Sequence, residues 1–219
     1  MKTIGIDIGT TSICLVLYDC DKKKIVDSLW ESNHFLPGSF RQEADRIVHT
    51  AQKMLDQLIK RQGEIAGIGI SSQMHGILYV DGAGRAVSDF YTWKDTCGER
   101  PHQGMSCAAY LSESTEYPMF SGYGTVTHFA LGLKNAIPNE GRFLTDIGDY
   151  LAMCLCGQKE PVVDATIASS FGGYCTRKES FDLPCLEKAG VATSFYPPVL
   201  KRREKGKGRM AGRYKGVPV

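Results

Sequence analysis

No stretch of this sequence reaches the ~18 consecutive apolar residues of a membrane-spanning helix. The first apolar run, Ile4-Gly5-Ile6, meets Asp7 at once, so the opening does not read as a signal peptide either. No CxxC pair occurs among the eight cysteines, and Cys154-Leu155-Cys156 would point its two thiols different ways on a helix. A chain of 219 residues with 42% apolar composition needs no disulfide staples. The expectation is reduced, mostly buried thiols in a cytoplasmic protein. Strong net charge is missing as well. The formal charge is +2, but eight basic residues and one acidic residue fall between Lys201 and Lys215. The first 200 residues therefore carry 18 basic and 23 acidic side chains. A slightly acidic body lacks the basic face that phosphate backbones require, so nucleic acid is not an expected partner. Nor is a membrane.

The opening reads as three strands, Thr3 to Ile8, Ile13 to Tyr18 and Lys24 to Trp30, joined by tight turns as an antiparallel meander. Ala44, Ile47, Val48, Ala51, Leu55, Leu58 and Ile59 then recur at helical spacing, with Gly63 at the expected stop. Ile65 to Ile70 and Ile77 to Val80 read as strands, the second ending in the turn Asp81-Gly82-Ala83-Gly84. Helices are predicted over Glu99 to Tyr110, Val126 to Asn135, Asp146 to Cys156 and Pro184 to Ala189. Lys201 to Lys215 reads as a solvated loop or hairpin, and Gly216 to Val219 as the start of a strand. The pattern is mixed α/β.

Three constellations carry chemistry. In Asp7-Ile8-Gly9-Thr10-Thr11-Ser12, Gly9 permits a tight turn, and backbone N–H groups with hydroxyls can surround phosphate oxygens. Asp7 at the strand end can face Mg²⁺ through water. An ordinary hairpin with an exposed Asp fits the same residues. Gln73-Met74-His75-Gly76 follows a buried strand, where α/β sites gather, and its amide and imidazole suit a polyol. A core Met beside a satisfied loop His is the alternative. Thr92-Trp93-Lys94-Asp95 offers an indole face for a sugar ring and a carboxylate acceptor. It also fits a half-buried Trp beside a surface salt bridge.

Together, and in this order, these residues resemble the N-terminal half of an FGGY-type carbohydrate kinase of the actin-like ATPase superfamily. Within that family the chain is most similar to the xylulokinase and sedoheptulokinase branch. Asp149-Tyr150, Leu155-Cys156-Gly157, Asp164 to Ser170, Tyr196-Pro197-Pro198-Val199 and Gly216 to Val219 resemble further family landmarks. The resemblance implies a ribonuclease H-like α/β domain over residues 1–219, a mixed sheet flanked by helices, acting as the sugar-binding lobe. It implies ATP and Mg²⁺ as cofactors. Asp7 would serve metal and catalysis, Gly9, Thr10, Thr11 and Ser12 the phosphates, and Gln73, Met74, His75, Trp93 and Asp95 the sugar. The family's general base is an Asp in a Gly-Asp segment that would fall beyond Val219. The expectation is an N-terminal fragment, inactive alone, with a bare interlobe face that could pair as a homodimer. Thr96 and Cys97 stand where the family often has an Arg, which leaves the sugar open. A sugar-binding or regulatory protein without catalysis is the alternative. An actin-like ATPase without a sugar fits the Gln-Met-His-Gly, Trp93 and Asp95 set less well.

Overall fold

The computed structural model describes residues 1–200, 208–211 and 215–219. Strands β1 (Lys2–Ile8), β2 (Ser12–Asp19) and β3 (Lys24–Ser32) form the predicted antiparallel meander. A short strand β4 (Arg41–Gln42) precedes helix α1 (Ala44–Gln62). Gly63 ends α1 at φ 80°, its N–H donating to Ile59 O at 2.9 Å. Strand β5 (Gly67–Ser72) then lies parallel to β1, giving the mixed sheet order β3-β2-β1-β5.

Alternation explains the main core. Ile4, Ile6 and Ile8 of β1 and Ile13, Leu15 and Leu17 of β2 all point to one side and are buried. They meet the apolar stripe of α1, including Ile47, Ala51, Leu55 and Leu58. The other face of the sheet, with Gly5, Val16, Tyr18 and Gly69, opens as an apolar groove.

The chain next forms β6 (Leu78–Val80) and β7 (Phe90–Tyr91). The latter pairs with β4, matching Arg41 to Tyr91 and Gln42 to Phe90. The helix predicted over Glu99 to Tyr110 does not form as such. A 3₁₀ turn at Cys97–Glu99 leads to a hairpin of β8 (Pro101–His102) and β9 (Met105–Ser106), and only then to α2 (Cys107–Thr115). Pro101 has no N–H for a helix, and Gln103 and Gly104 turn the chain with positive φ. Ser106 caps α2 by accepting from Ala109 N. Helix α3 (Gly124–Gly132) ends before the predicted Asn135, which sits at φ 51° in the following turn.

Strand β10 (Phe143–Thr145) pairs with β6, and α4 (Ile147–Cys156) follows close to the predicted span. The last elements are β11 (Val163–Asp164), α5 (Ala165–Phe171), the hairpin β12 (Tyr174–Cys175) and β13 (Ser180–Phe181), α6 (Leu183–Lys188) and β14 (Val199–Leu200). They build a second core with α2 and α3 around Tyr79, Val126, Phe129 and Phe171. The expected basic loop lies mostly outside the described residues. Val217 and Val219 pack on the main core and Pro218 O accepts from Ile68 N at 2.9 Å, but among the described residues the expected strand does not form: the segment makes only an isolated bridge between Pro218 and Arg209. The cysteines differ from expectation: all eight are free, but only Cys97 and Cys107 are buried and the other six are half-buried.

The second core holds one titratable group with a stability consequence. His128 is 1% exposed. Its Nε2–H donates to Ala192 O at 2.8 Å, which leaves Nδ1 to accept from the Tyr79 hydroxyl at 2.6 Å. Burial pushes its pKa down to about 4. The unfolded chain, with an ordinary imidazole, binds a proton first as pH falls. Stability is therefore unaffected above the ordinary histidine range and falls as pH drops from there toward about 4. The loss reaches about 3 kcal/mol at most. Urea melts across that window should show the slope, and it should be shallower in His128→Gln, whose amide does not titrate.

Candidate active site

The parallel register of β1 and β5 builds the site. Asp7 sits opposite Ser71 and Ile8 opposite Ser72, so both strands end at the same edge. Gln73 N continues the ladder to Ile8 O at 2.8 Å. Loops at the carboxyl ends of neighbouring parallel strands converge, which is where α/β folds place ligands. Asp146, fully buried, anchors this edge from α4. Its carboxylate caps the helix by accepting from Gly148 N and Asp149 N at 2.9 and 2.8 Å, and also accepts from Ser72 Oγ at 2.7 Å.

The first loop is a closed turn, with Gly9 N–H donating to Ser12 O at 2.8 Å. Asn33 clamps it, giving its Nδ2 to Gly9 O at 3.0 Å and its backbone N–H to Thr11 O at 2.8 Å. The Asp7 carboxylate is exposed at the mouth of the turn. The backbone N–H groups of Thr10 and Thr11 donate to no described residue. They are the groups of this turn free for an anion.

The Thr10 hydroxyl is not free in the same way. It donates to Gln73 Oε1 at 3.1 Å and accepts the Trp93 indole N–H at 3.0 Å. Its single proton is thus committed, and the side chain offers only a remaining lone pair. The Trp93 ring is half-exposed, with the Lys94 ammonium 5.3 Å from its centroid.

His75 adopts φ 73°, a left-handed conformation unusual for a residue other than Gly, though His is among those that tolerate it. Three contacts hold it there. Its N–H donates to Ser170 Oγ at 3.1 Å, its Nδ1 lies 2.6 Å from Ser170 O, and its ring stacks on Tyr123 at 4.3 Å and 9°. A carbonyl oxygen only accepts, so Nδ1 carries the proton and Nε2 is left as an acceptor.

One cleft of ≈ 540 Å³ collects Asp7, Gly9, Thr10, Gln73, Met74, His75 and Trp93. These are seven of the ten residues the sequence singled out. Thr11 and Ser12 lie on the far limb of the turn and do not line it. Asp95 does not reach it either. It is buried, accepts from Cys97 N at 2.8 Å and lies 3.7 Å from the Arg41 guanidinium, in a different pocket. Its carboxylate serves the turn after Trp93, outside the cleft that the other sugar-side candidates line. Sequence reasoning missed Gln42 and Tyr123, which have no motif spacing of their own, and gave Ser170 no role beyond its place in the Asp164 to Ser170 stretch. Each acts by touching a residue of the Gln73-Met74-His75 loop.

The domain is a ribonuclease H-like α/β unit, a mixed sheet flanked by helices, of the kind found in sugar kinases. A xylulose kinase structure from Rhodospirillum rubrum matches it with a TM-score of 0.82 at 19% identity, covering 100% of this chain and 48% of that one. A gluconate kinase structure from Lactobacillus acidophilus gives 0.78 at 23% identity, over 93% of this chain and 42% of that one. The match to the FGGY family of carbohydrate kinases, N-terminal domain, spans residues 2–213, and the chain belongs to that family. Sedoheptulokinase of Mus musculus is 29% identical over 96% of this chain and 48% of its own length. Xylulose kinase of Streptomyces rubiginosus is 26% identical over 92% of this chain and 43% of its own length. The chain thus spans about half the length of the curated relatives it matches. Among the described residues, no helix is long and apolar enough to cross a membrane.

Proposed function

We propose that this chain is the sugar-side lobe of an ATP-dependent kinase that phosphorylates a primary hydroxyl of a ketose. The observation that carries the reading is the single cleft in which the Asp7 turn and the Gln73-Met74-His75 loop meet beneath Trp93. Sedoheptulokinase and xylulose kinase among the relatives support a ketose.

The free hydrogen-bonding groups of the cleft suit a polyol. His75 Nε2, the remaining Thr10 lone pair and the Asp7 carboxylate all accept, and sugar hydroxyls donate. The exposed indole face of Trp93 suits the C–H face of the sugar. On the phosphate side, the N–H groups of Thr10 and Thr11 can receive phosphate oxygens. A lone exposed carboxylate such as Asp7 fits Mg²⁺ that keeps its waters and its phosphate ligands. The metal, when bound, shares the charge that develops on the transferring group. The protein's own part is to hold the hydroxyl in line and to exclude water. In this reading the general base and most of the nucleotide site belong to a second lobe.

Calorimetry with D-xylulose and sedoheptulose, beside a coupled ATP assay, tests this. The expected result is ketose binding by the chain without turnover, since a positioned acid–base group alone typically supplies ~10²–10⁴ in rate. Absence of any ketose binding would overturn the sugar reading. Turnover abolished by Asp7→Asn would overturn the assignment of the base to another lobe.

A further inference from the structure

Gln42 lies on the two-residue strand β4, paired with Phe90 of β7, and is 0% exposed. A glutamine sealed this completely must satisfy both ends of its amide. It does so with the two loops of the cleft. One end lies 2.7 Å from Thr10 O, and the other 2.7 Å from the Gln73 amide.

The direction of every bond in this ring is forced. Thr10 O can only accept, so Gln42 presents Nε2 to it and Oε1 to Gln73. Gln73 must then present Nε2 to Gln42, which turns its Oε1 toward Thr10. An oxygen facing the hydroxyl takes the hydroxyl proton. Thr10 Oγ1 is left with lone pairs only, and the indole N–H of Trp93, a donor with no acceptor capacity, completes the chain. None of Gln42, Thr10, Gln73 and Trp93 titrates in the ordinary range.

We propose that Gln42 is a positioning residue that sets the hydrogen-bond polarity of the cleft. It acts through Gln73 and Thr10, so that Thr10 faces the ligand as an acceptor and Trp93 is held by its N–H. Without the Gln42 amide, nothing distinguishes the two orientations of Gln73. Turned over, Gln73 would donate to Thr10, freeing the hydroxyl proton and competing for the lone pairs that hold Trp93. The sugar consequence rests on the function proposed above; the effect on Trp93 does not.

The test reads the two arms separately. The chain has two tryptophans, so ¹⁵N-labelled protein shows two indole N–H signals, and Trp93→Phe assigns them. Exchange of the Trp93 indole proton and affinity for D-xylulose are measured in wild type, Gln42→Leu and Gln42→Glu. We expect Gln42→Leu to speed Trp93 exchange at least ~10-fold, with Trp30 unchanged, and to weaken D-xylulose in parallel. Gln42→Glu still accepts from Gln73 but has lost its donor to Thr10 O. Relative to wild type at the same pH, it should regain Trp93 protection as acid protonates the introduced carboxyl and restores a donor. A merely structural role lowers the melting temperature of both variants, and any acid recovery of Trp93 protection in Gln42→Glu then only follows the recovery of the melt; a positioning role restores Trp93 protection at pH values where the variant is already fully folded. Should Gln42→Leu fail to fold, the acid rescue of Gln42→Glu decides alone. Wild-type Trp93 exchange in a folded Gln42→Leu, or loss in Gln42→Glu that acid does not restore, would overturn the proposal. If wild type binds no D-xylulose while the indole results hold, the sugar reading falls and the positioning role stands.

Discussion

His75→Asn should weaken ketose binding at least ~10-fold while leaving the fold close to wild type. Asparagine is chosen because it tolerates the left-handed conformation that His75 holds at φ 73°, where alanine would be strained. Its short amide can still reach toward Ser170 O, so the loop keeps one of its ties. What disappears is Nε2, the acceptor left over once Nδ1–H is given to Ser170 O. A hydroxyl that donated to Nε2 then faces no partner, and leaving such a group unpaired costs about 1–3 kcal/mol. Asp95→Ala is the contrast. Its carboxylate holds Cys97 N and sits beside Arg41, so its loss should lower the melting temperature first. Calorimetry and thermal melts on both variants separate the roles. Wild-type ketose affinity in His75→Asn would remove His75 from the binding site.

The largest structural effect is expected from Gly122→Ala. Gly122 holds φ 85°, and a Cβ built there would fall on the backbone carbonyl of Trp93, well inside van der Waals contact. Neither the torsion nor the space admits a side chain. The conformational strain and the overlap together should destabilise the protein by about 3 kcal/mol or more. For a chain of this size that corresponds to a fall in Tm of roughly 6–12 °C. The overlap has a direction as well: it pushes on Trp93, the residue tied to Thr10. Trp93 fluorescence and Trp93 indole exchange should therefore change even at temperatures where Gly122→Ala remains folded. A melt and a Trp93 signal both like wild type would show that the close approach is not required.

The elements read most clearly from the sequence were those whose own pattern settles them. The β1–β3 meander alternates apolar residues, α1 repeats them at helical spacing up to Gly63, and Asp146 caps α4 from its own next turn. The segment from Glu99 to Tyr110 has the composition of a helix, but Pro101 and Gly104 make a hairpin of its first part and only Cys107 onward is helical. Helix α5 and the β12–β13 hairpin are each too short for periodicity to register in the sequence.

The same division holds in the site. Local sequence determined which residues could do chemistry: a turn with Asp7 and Gly9, a loop with Gln73 and His75, and an indole at Trp93. Tertiary structure decided which hydrogen-bonding groups of each one stay free, because that depends on partners far away in the chain. The parallel register of β1 and β5 brings two loops together that lie more than sixty residues apart. Ser170, ninety-five residues from His75, selects its tautomer. Arg41 and the Cys97 N–H draw Asp95 out of the cleft that its neighbour Trp93 lines. Gln42 directs the proton of Thr10 across a gap of thirty-two residues. A hydrogen bond's direction is set by both of its ends, and a linear sequence presents those ends one at a time.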